Sequence, residues 1–310
     1  MPEINEVRRF ADFIFSKIGE TNITEINIIN GRYKKHDPFE NYTTIKNKLP
    51  LKLLDIGTKG KLMWMVFEQD LYLLATLGLS GGWSYLDSKI KNPKLEDYEF
   101  SEVEDEWANY IPDEKMDSYT INAIKHRNVE FKTEKGSIYF YDTLSFGTLK
   151  IIIGKEELNK KLKTIGPDIM DETTDFELFK KQVKKKTHLD KPIGNVLMNQ
   201  KVVSGVGNYL RADVLYLSKI DPFRKVSKLT DNELKDIFNN CKILTWGDYD
   251  KEEAIKMKIM TKSTKLPGDY KRMFFVYQEE KDIHGHKVHK KELYEGSQKR
   301  FIYYVPEIQK

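Results

Sequence analysis

The sequence predicts an α+β protein: a β-rich first half led by one helix, then a helical segment, then a terminal β hairpin. Four observations carry this reading. Residues 3–18 repeat apolar side chains at helical spacing, and from Ile23 to Ile153 the apolar runs shorten to strand length between Gly-containing turns. Beyond Gly166-Pro167 the helical period returns, and beyond Pro267-Gly268 aromatic and β-branched residues return with it. The domain boundaries that follow are 1–153, 154–267 and 268–310.

In the leading segment Ile4, Val7, Phe10, Phe13, Ile14 and Ile18 fall on one helical face, and Gly19 supplies the stop. The strand candidates are Ile23–Ile29, Leu51–Ile56, Leu62–Phe67, Leu71–Leu77, Val129–Thr133 and Ile138–Tyr141, with Glu134-Lys135-Gly136 as a hairpin turn. Short strands spaced regularly over about 130 residues imply a sandwich or a barrel. The acidic stretch Glu96–Asp117 reads as a surface loop. Leu158–Leu162, Phe176–Lys186, Ile193–Met198, Tyr209–Ser218 and Asp231–Leu244 read as helices, and Thr230 with Glu233 is a capping-box signature for the last. Residues 272–304 read as strands around a polar turn, Asp282–His286, and no internal repeat is present.

Composition narrows the class. At 310 residues, 39% hydrophobic and 32% charged, the chain can bury a core and stay in solution. Apolar runs such as Leu71–Leu79 are far shorter than the roughly 18 residues of a membrane span. The start, Met1-Pro2-Glu3-Ile4-Asn5-Glu6, carries carboxylates where a signal peptide carries positive charge. A single cysteine, Cys241, excludes an internal disulfide framework and any cysteine-based zinc finger or iron–sulfur cluster, so an intracellular protein is expected. Residues 1–150 hold 20 Lys+Arg against 24 Asp+Glu, while residues 151–310 hold 32 against 24. The second half is therefore the basic one, as a polyanion partner would require and as solvated lysine-rich helices would also produce.

Four motifs bear on chemistry. Ser204-Gly205-Val206-Gly207-Asn208-Tyr209 joins two predicted helices; its glycines allow backbone to approach a phosphate at a helix N-terminus, or simply connect the helices. Asn208 can cap the following helix or donate its amide to a phosphate. Lys59 and Lys61 flank Gly60 between strands, either as strand-edge lysines or as anion-binding ones. His284, His286 and His289 are either a polar hairpin tip or three ligands still lacking a fourth. Removal of Met1 would expose Pro2 as a secondary amine, partly neutral near pH 7 and able to attack an aldehyde-level carbon. Proline followed by Glu3 and Glu6 is equally good chemistry for opening a helix.

In this order the motifs resemble the formamidopyrimidine/endonuclease VIII family of DNA glycosylases. Pro2-Glu3-Ile4-Asn5-Glu6 resembles its Pro-Glu-x-x-Glu start, Gly60-Lys61 the segment bearing its catalytic lysine, and Gly78-Leu79-Ser80-Gly81 its Gly-Met-Ser-Gly turn. Gly166-Pro167-Asp168 resembles the opening of its helical domain. Pro192-Ile193, Val203 through Asp213 and Ile220-Asp221-Pro222 resemble its helix-two-turn-helix. The last segment, Gly296 through Gln309, resembles the zincless finger of the endonuclease VIII-like branch, in which two strands keep the hairpin shape without metal. Packing of Phe274, Phe275, Val276, Phe301, Tyr303 and Val305, leaning on the helical domain, is expected to hold it.

The resemblance implies an N-terminal β-sandwich with a leading helix, a helix-two-turn-helix domain and a zincless finger. It implies a glycosylase and abasic-site lyase excising oxidised pyrimidines and ring-fragmented guanines. Pro2 would be the nucleophile, Glu3 the general acid/base, and Glu6 and Lys61 would complete the catalytic set. Asn208, Arg300 and the Gly205 and Gly207 turn would hold phosphates, while Leu79 and Phe146 would fill the vacated stack. The partner implied is damaged DNA, double-stranded or single-stranded, bound by a monomer wherever the genome resides, with no metal and no diffusible cofactor. The chain departs from the family at Leu144-Ser145, where arginines are usual, at Leu79, where methionine is, and at Thr76 and Gly194, which replace residues that often contact phosphate. A non-catalytic DNA-binding protein is the alternative; Pro2-Glu3 with Lys61 argues against it, since a pure binder has no use for them.

Overall fold

In a computed structural model, residues 2–100, 121–264, 274–295 and 298–310 are described. The chain forms two compact units. One holds Pro2 and Glu6–Lys163, the other Glu3–Asn5 and Thr164–Lys310.

The first unit contains helix α1 (Ile4–Ile18) from Glu6 onward, strands β1 (Asn22–Ile23) and β2 (Glu25–Ile28), and short helices α2 (Arg32–Lys35) and α3 (Tyr42–Lys46). Strands β3 (Leu51–Lys59), β4 (Leu62–Phe67), β5 (Leu71–Thr76), β6 (Gly81–Asp87), β7 (Tyr98–Phe100), β8 (Arg127–Lys132), β9 (Gly136–Asp142) and β10 (Thr148–Ile153) follow, then helix α4 (Lys155–Lys163). Among the described residues the strands form two five-stranded sheets, ordered β1-β3-β4-β5-β10 and β2-β8-β9-β6-β7. Met63, Met65 and Leu73 of one sheet share a core with Trp83, Phe131 and Phe140 of the other, and Val7, Phe10, Ile14 and Ile18 of α1 join it. This is a sandwich, one of the two architectures that the strand spacing implies.

The differences have local causes. Strand β6 opens with Gly81-Gly82, which reads as a turn in sequence, yet a Cβ at Gly82 would stand 2.3 Å from the Tyr141 hydroxyl, so this strand must pass close to β9. Strand β7 pairs with β6 inside the stretch read as an acidic loop, whose remainder from residue 101 to 117 lies outside the described residues. The first unit also runs past Ile153 to Lys163. Asp70 accepts from the Lys155 amide at 3.1 Å, and Leu158 buries the apolar side of α4.

The second unit contains α5 (Phe176–Val183), α6 (Ile193–Met198), α7 (Asn208–Leu217), α8 (Asp231–Tyr249), α9 (Lys251–Lys256) and the hairpin strands β11 (His289–Glu295) and β12 (Gln298–Tyr304). The capping box forms as its spacing predicts: Thr230 Oγ1 accepts from the Glu233 amide, whose side chain in turn accepts from the Thr230 amide. Helix α7 is the axis of this unit, with every residue from Leu210 to Tyr216 buried. The hairpin is not a separate body: Leu293, Ile302 and Val305 share the helices' core. Residues 274–288 are not strands as their aromatic content implies. They form turns, because the amides of Phe275, Val276 and Tyr277 are spent on Asp213 of α7 rather than on a ladder.

Candidate active site

A helix N-terminus leaves backbone amides without partners inside the helix. At α7 the cap residue is Gly207, which has no side chain to satisfy them. Glu3 does so from the other end of the chain. Its Oε2 accepts from the amides of Gly207 at 2.6 Å and Leu210 at 3.4 Å, and its Oε1 from that of Tyr209 at 3.0 Å. The side chain is fully buried. The sequence pattern pairs Glu3 with the helix that follows it, but the helix whose start it satisfies begins 205 positions later.

The turn that presents these amides is built by Gln200. Its Oε1 accepts from the Gly205 amide at 2.9 Å, and its Nε2 donates to the Val206 carbonyl at 2.8 Å. Gly205 has φ +103°, and a Cβ there would lie 2.4 Å from the Ile4 side chain, so glycine is needed for both conformation and space. Asn5 donates to Asp248 at 2.6 Å, which fixes the backbone after Glu3. Asn208 is the first residue of α7 and not its cap. Its Oδ1 accepts from Arg211, and it also hydrogen-bonds the Tyr277 hydroxyl. Arg300 lies on β12 opposite Leu293, half-buried.

Within the first unit, Pro2 is half-buried just ahead of α1, and Glu6 lies in the first turn of that helix. Gly60-Lys61 forms the two-residue turn between β3 and β4. Lys59 donates to the Leu162 carbonyl at 3.0 Å and so closes the end of α4. Leu79 and Phe146 project from two loops that share one anchor. Asp142, buried, accepts from Ser80 at 2.6 Å, from the Leu144 amide at 3.2 Å and from the Gly147 amide at 2.6 Å. The result is three large apolar side chains held in solvent, Leu79 at 38%, Leu144 at 52% and Phe146 at 60% exposure. Such exposure is unfavourable unless something covers it.

His284 and His286 belong to a turn organised by Asp282, which accepts from the His284 and His286 amides, from the His286 ring and from the Tyr216 hydroxyl, whereas His289 opens β11. Among the described residues no three His, Cys, Asp or Glu side chains are grouped to hold a metal. Burial pushes the Cys241 thiol up to about 12, which removes it as a nucleophile near neutral pH.

Comparison with known proteins assigns both units. Residues 1–149 match the formamidopyrimidine-DNA glycosylase N-terminal domain, and residues 165–263 match the formamidopyrimidine-DNA glycosylase H2TH domain. The chain belongs to the formamidopyrimidine-DNA glycosylase family. Its relatives include the formamidopyrimidine-DNA glycosylase of Ligilactobacillus salivarius, 26% identical over 242 residues, which are 77% of this chain and 74% of that protein. The Lactobacillus gasseri enzyme is 26% identical over 279 residues, 89% of this chain and 86% of its own. The fold is that of Lactococcus lactis formamidopyrimidine-DNA glycosylase, solved on DNA containing an abasic site, with a TM-score of 0.72, 20% identity and 99% of each chain covered.

For a DNA-repair glycosylase of this family, the residues that sequence reading missed are the ones holding each unit's candidate residues in shape: Gln200, Arg211 and Asp213 in the second unit and Asp142 in the first. Asp213 is fully buried, and burial raises its carboxyl to about 7 against the pull of three backbone amides, with the nearby Glu3 charge raising it further. Its folded value thus lies above its unfolded one. The stability that it contributes is complete below about pH 4 and lost as pH rises through about 7, on the order of 4 kcal/mol. The thermal midpoint is expected to fall by several degrees between pH 5.5 and pH 8.5, and Asp213→Asn protein should lose most of that slope. An unchanged slope in Asp213→Asn protein would assign it to other groups.

Proposed function

We propose that this glycosylase is bifunctional: it excises oxidised pyrimidines and ring-fragmented guanines through a Schiff base on Pro2, then cuts the strand by β,δ-elimination. The observation that carries the reading is the buried carboxylate of Glu3, clamped by three amides of the glycine turn and one peptide bond from Pro2. A carboxylate tied down in that way has a fixed position, as a proton donor and acceptor needs. The proline nitrogen attacks deoxyribose C1′, the bond from C1′ to the base breaks, and the leaving base takes a proton. The amine gives up its own proton, and its lone pair then expels the ring oxygen O4′, which takes a proton as the sugar ring opens and the iminium forms. Extrusion of the base is easiest for damaged, poorly stacked bases.

Lys61, Arg300 and Asn208 serve as phosphate ligands in this reading, with Glu6 supporting Glu3. Gly205 and Gly207 let the backbone come near the strand. Leu79 and Phe146 enter the space left by the extruded nucleotide, as apolar wedges do in other DNA-bending proteins, which would cover their exposed surface. The relatives named above carry formamidopyrimidine in their names, and the solved Lactococcus lactis protein sits on abasic-site DNA, in keeping with these substrates.

Borohydride reduction tests the intermediate. With a duplex carrying one oxidised pyrimidine, the protein is expected to be trapped on DNA with the crosslink on Pro2 as the first residue of the mature chain. Pro2→Gly protein should trap at least about tenfold less, its α-amine being a poorer nucleophile. A crosslink mapping to a lysine, or an active preparation retaining Met1, would overturn Pro2 as nucleophile. Binding without any trapping or cleavage would favour the non-catalytic alternative.

A further inference from the structure

Arg211 is one of the largest fully buried side chains of the chain, 1% exposed. A buried guanidinium is costly unless its donors meet acceptors, and its planar fork suits acceptors in fixed directions. Here the fork reaches three segments of the second unit. Nη1 donates to the Gly194 carbonyl of α6 at 3.2 Å. Nη2 donates to Oδ1 of Asn208, the first residue of α7, and to the Phe301 carbonyl of β12 at 3.0 Å. Phe301 directly follows Arg300. Gly194 permits the close approach, because a Cβ there would stand 2.9 Å from Leu293, the residue paired with Arg300 across the hairpin.

We propose that Arg211 is a positioning residue that sets Asn208 and Arg300 in one frame and fixes which way the Asn208 amide faces; this rests on the reading above that both residues hold DNA phosphates. An asparagine side chain has an acceptor end and a donor end. With Arg211 holding the oxygen, the amine end faces the Tyr277 hydroxyl and keeps a second hydrogen to donate, and a phosphate needs a donor. Released from Arg211, the amide can turn its oxygen outward and repel the same phosphate. The Phe301 bond keeps the strand bearing Arg300 in register with that helix start. Lysine, with a point charge in place of a fork, cannot serve all three acceptors.

The test is a double-mutant cycle on the full chain, read as affinity for a duplex containing one tetrahydrofuran abasic-site analogue. Arg211→Met is expected to weaken binding about tenfold in the natural background and less than about twofold in an Asn208→Ala background, since a contact already removed cannot be lost again. Arg211→Lys, which retains the charge, should show the same dependence at about fivefold if Arg211→Met does not fold. Equal losses in both backgrounds would mean that Arg211 does not act through Asn208 and would overturn the inference by itself. Undiminished binding by Asn208→Ala protein would instead remove the phosphate-grip reading and the inference with it.

Discussion

Glu3→Gln protein is expected to lose base excision by at least about a hundredfold while still cutting a duplex that already contains an abasic site. General acid/base groups contribute on the order of 10²–10⁴ in rate, and only the first step needs the base to leave. The geometry adds a second consequence. Both carboxylate oxygens of Glu3 accept from backbone amides, so replacing one oxygen with an amine points a donor at a donor. That unsatisfied pair should lower stability by about 1–3 kcal/mol. The two effects separate cleanly: chemical denaturation reads the lost cap, and the ratio of excision to abasic-site cleavage reads the lost proton transfer. If excision and abasic-site cleavage fall together, in step with the fraction folded, Glu3 is only the cap of α7. Glu3→Asp keeps the charge but is one methylene too short to reach the same amides, so it should lose both stability and excision.

What could be read from the sequence divides by range. Helix α1, the strands β4 and β5, and the capping box at Thr230 come from periodicity and neighbouring residues, and these appear where the pattern puts them. The short helices α2 and α3 and the strand β7 do not, since three to five residues offer too little period to detect. The same division holds in the site. Pro2, Glu3, Gly205, Gly207 and Asn208 are legible because they sit in compact motifs. The partner of Glu3 is not, because a carboxylate that satisfies a helix start on the far side of the chain leaves no spacing signature. Asp213 and Arg211 read as ordinary charged positions on a helix, yet burial turns one into a clasp for residues 275–277 and the other into a three-way tie. A charged residue within an apolar stretch such as Leu210–Tyr216 is the signal that was available. Leu144 gives the converse case: the sequence reports the loss of an arginine, and the structure adds that an exposed leucine stands beside Phe146 in its place.

Arg300→Ala protein is expected to retain its fold and lose about 10- to 100-fold in glycosylase activity on duplex DNA, with a smaller loss on a pre-formed abasic site. A charged hydrogen bond to phosphate is worth about 1.5–3 kcal/mol, and a guanidinium offers bidentate geometry that lysine does not. Survival of the fold follows from what holds the hairpin. Leu293, Ile302 and Val305 are buried with the helices, the Phe301 carbonyl accepts from Arg211, the amides of Phe275, Val276 and Tyr277 end on Asp213, and Asp282 accepts from Tyr216. Tyr277 packs edge-on against Tyr303, and Lys290 lies 4.6 Å above the Phe301 ring. Those contacts tie the hairpin to the helical core, and one cysteine could not supply a four-cysteine zinc site. Activity should therefore persist in strong chelators, and purified protein should carry no stoichiometric zinc. Activity lost to EDTA and restored by zinc would move the explanation to His284, His286 and His289. Full activity of Arg300→Ala protein would show that the hairpin meets the DNA backbone through another residue, with Lys290 and Lys291 on the facing strand the next to replace.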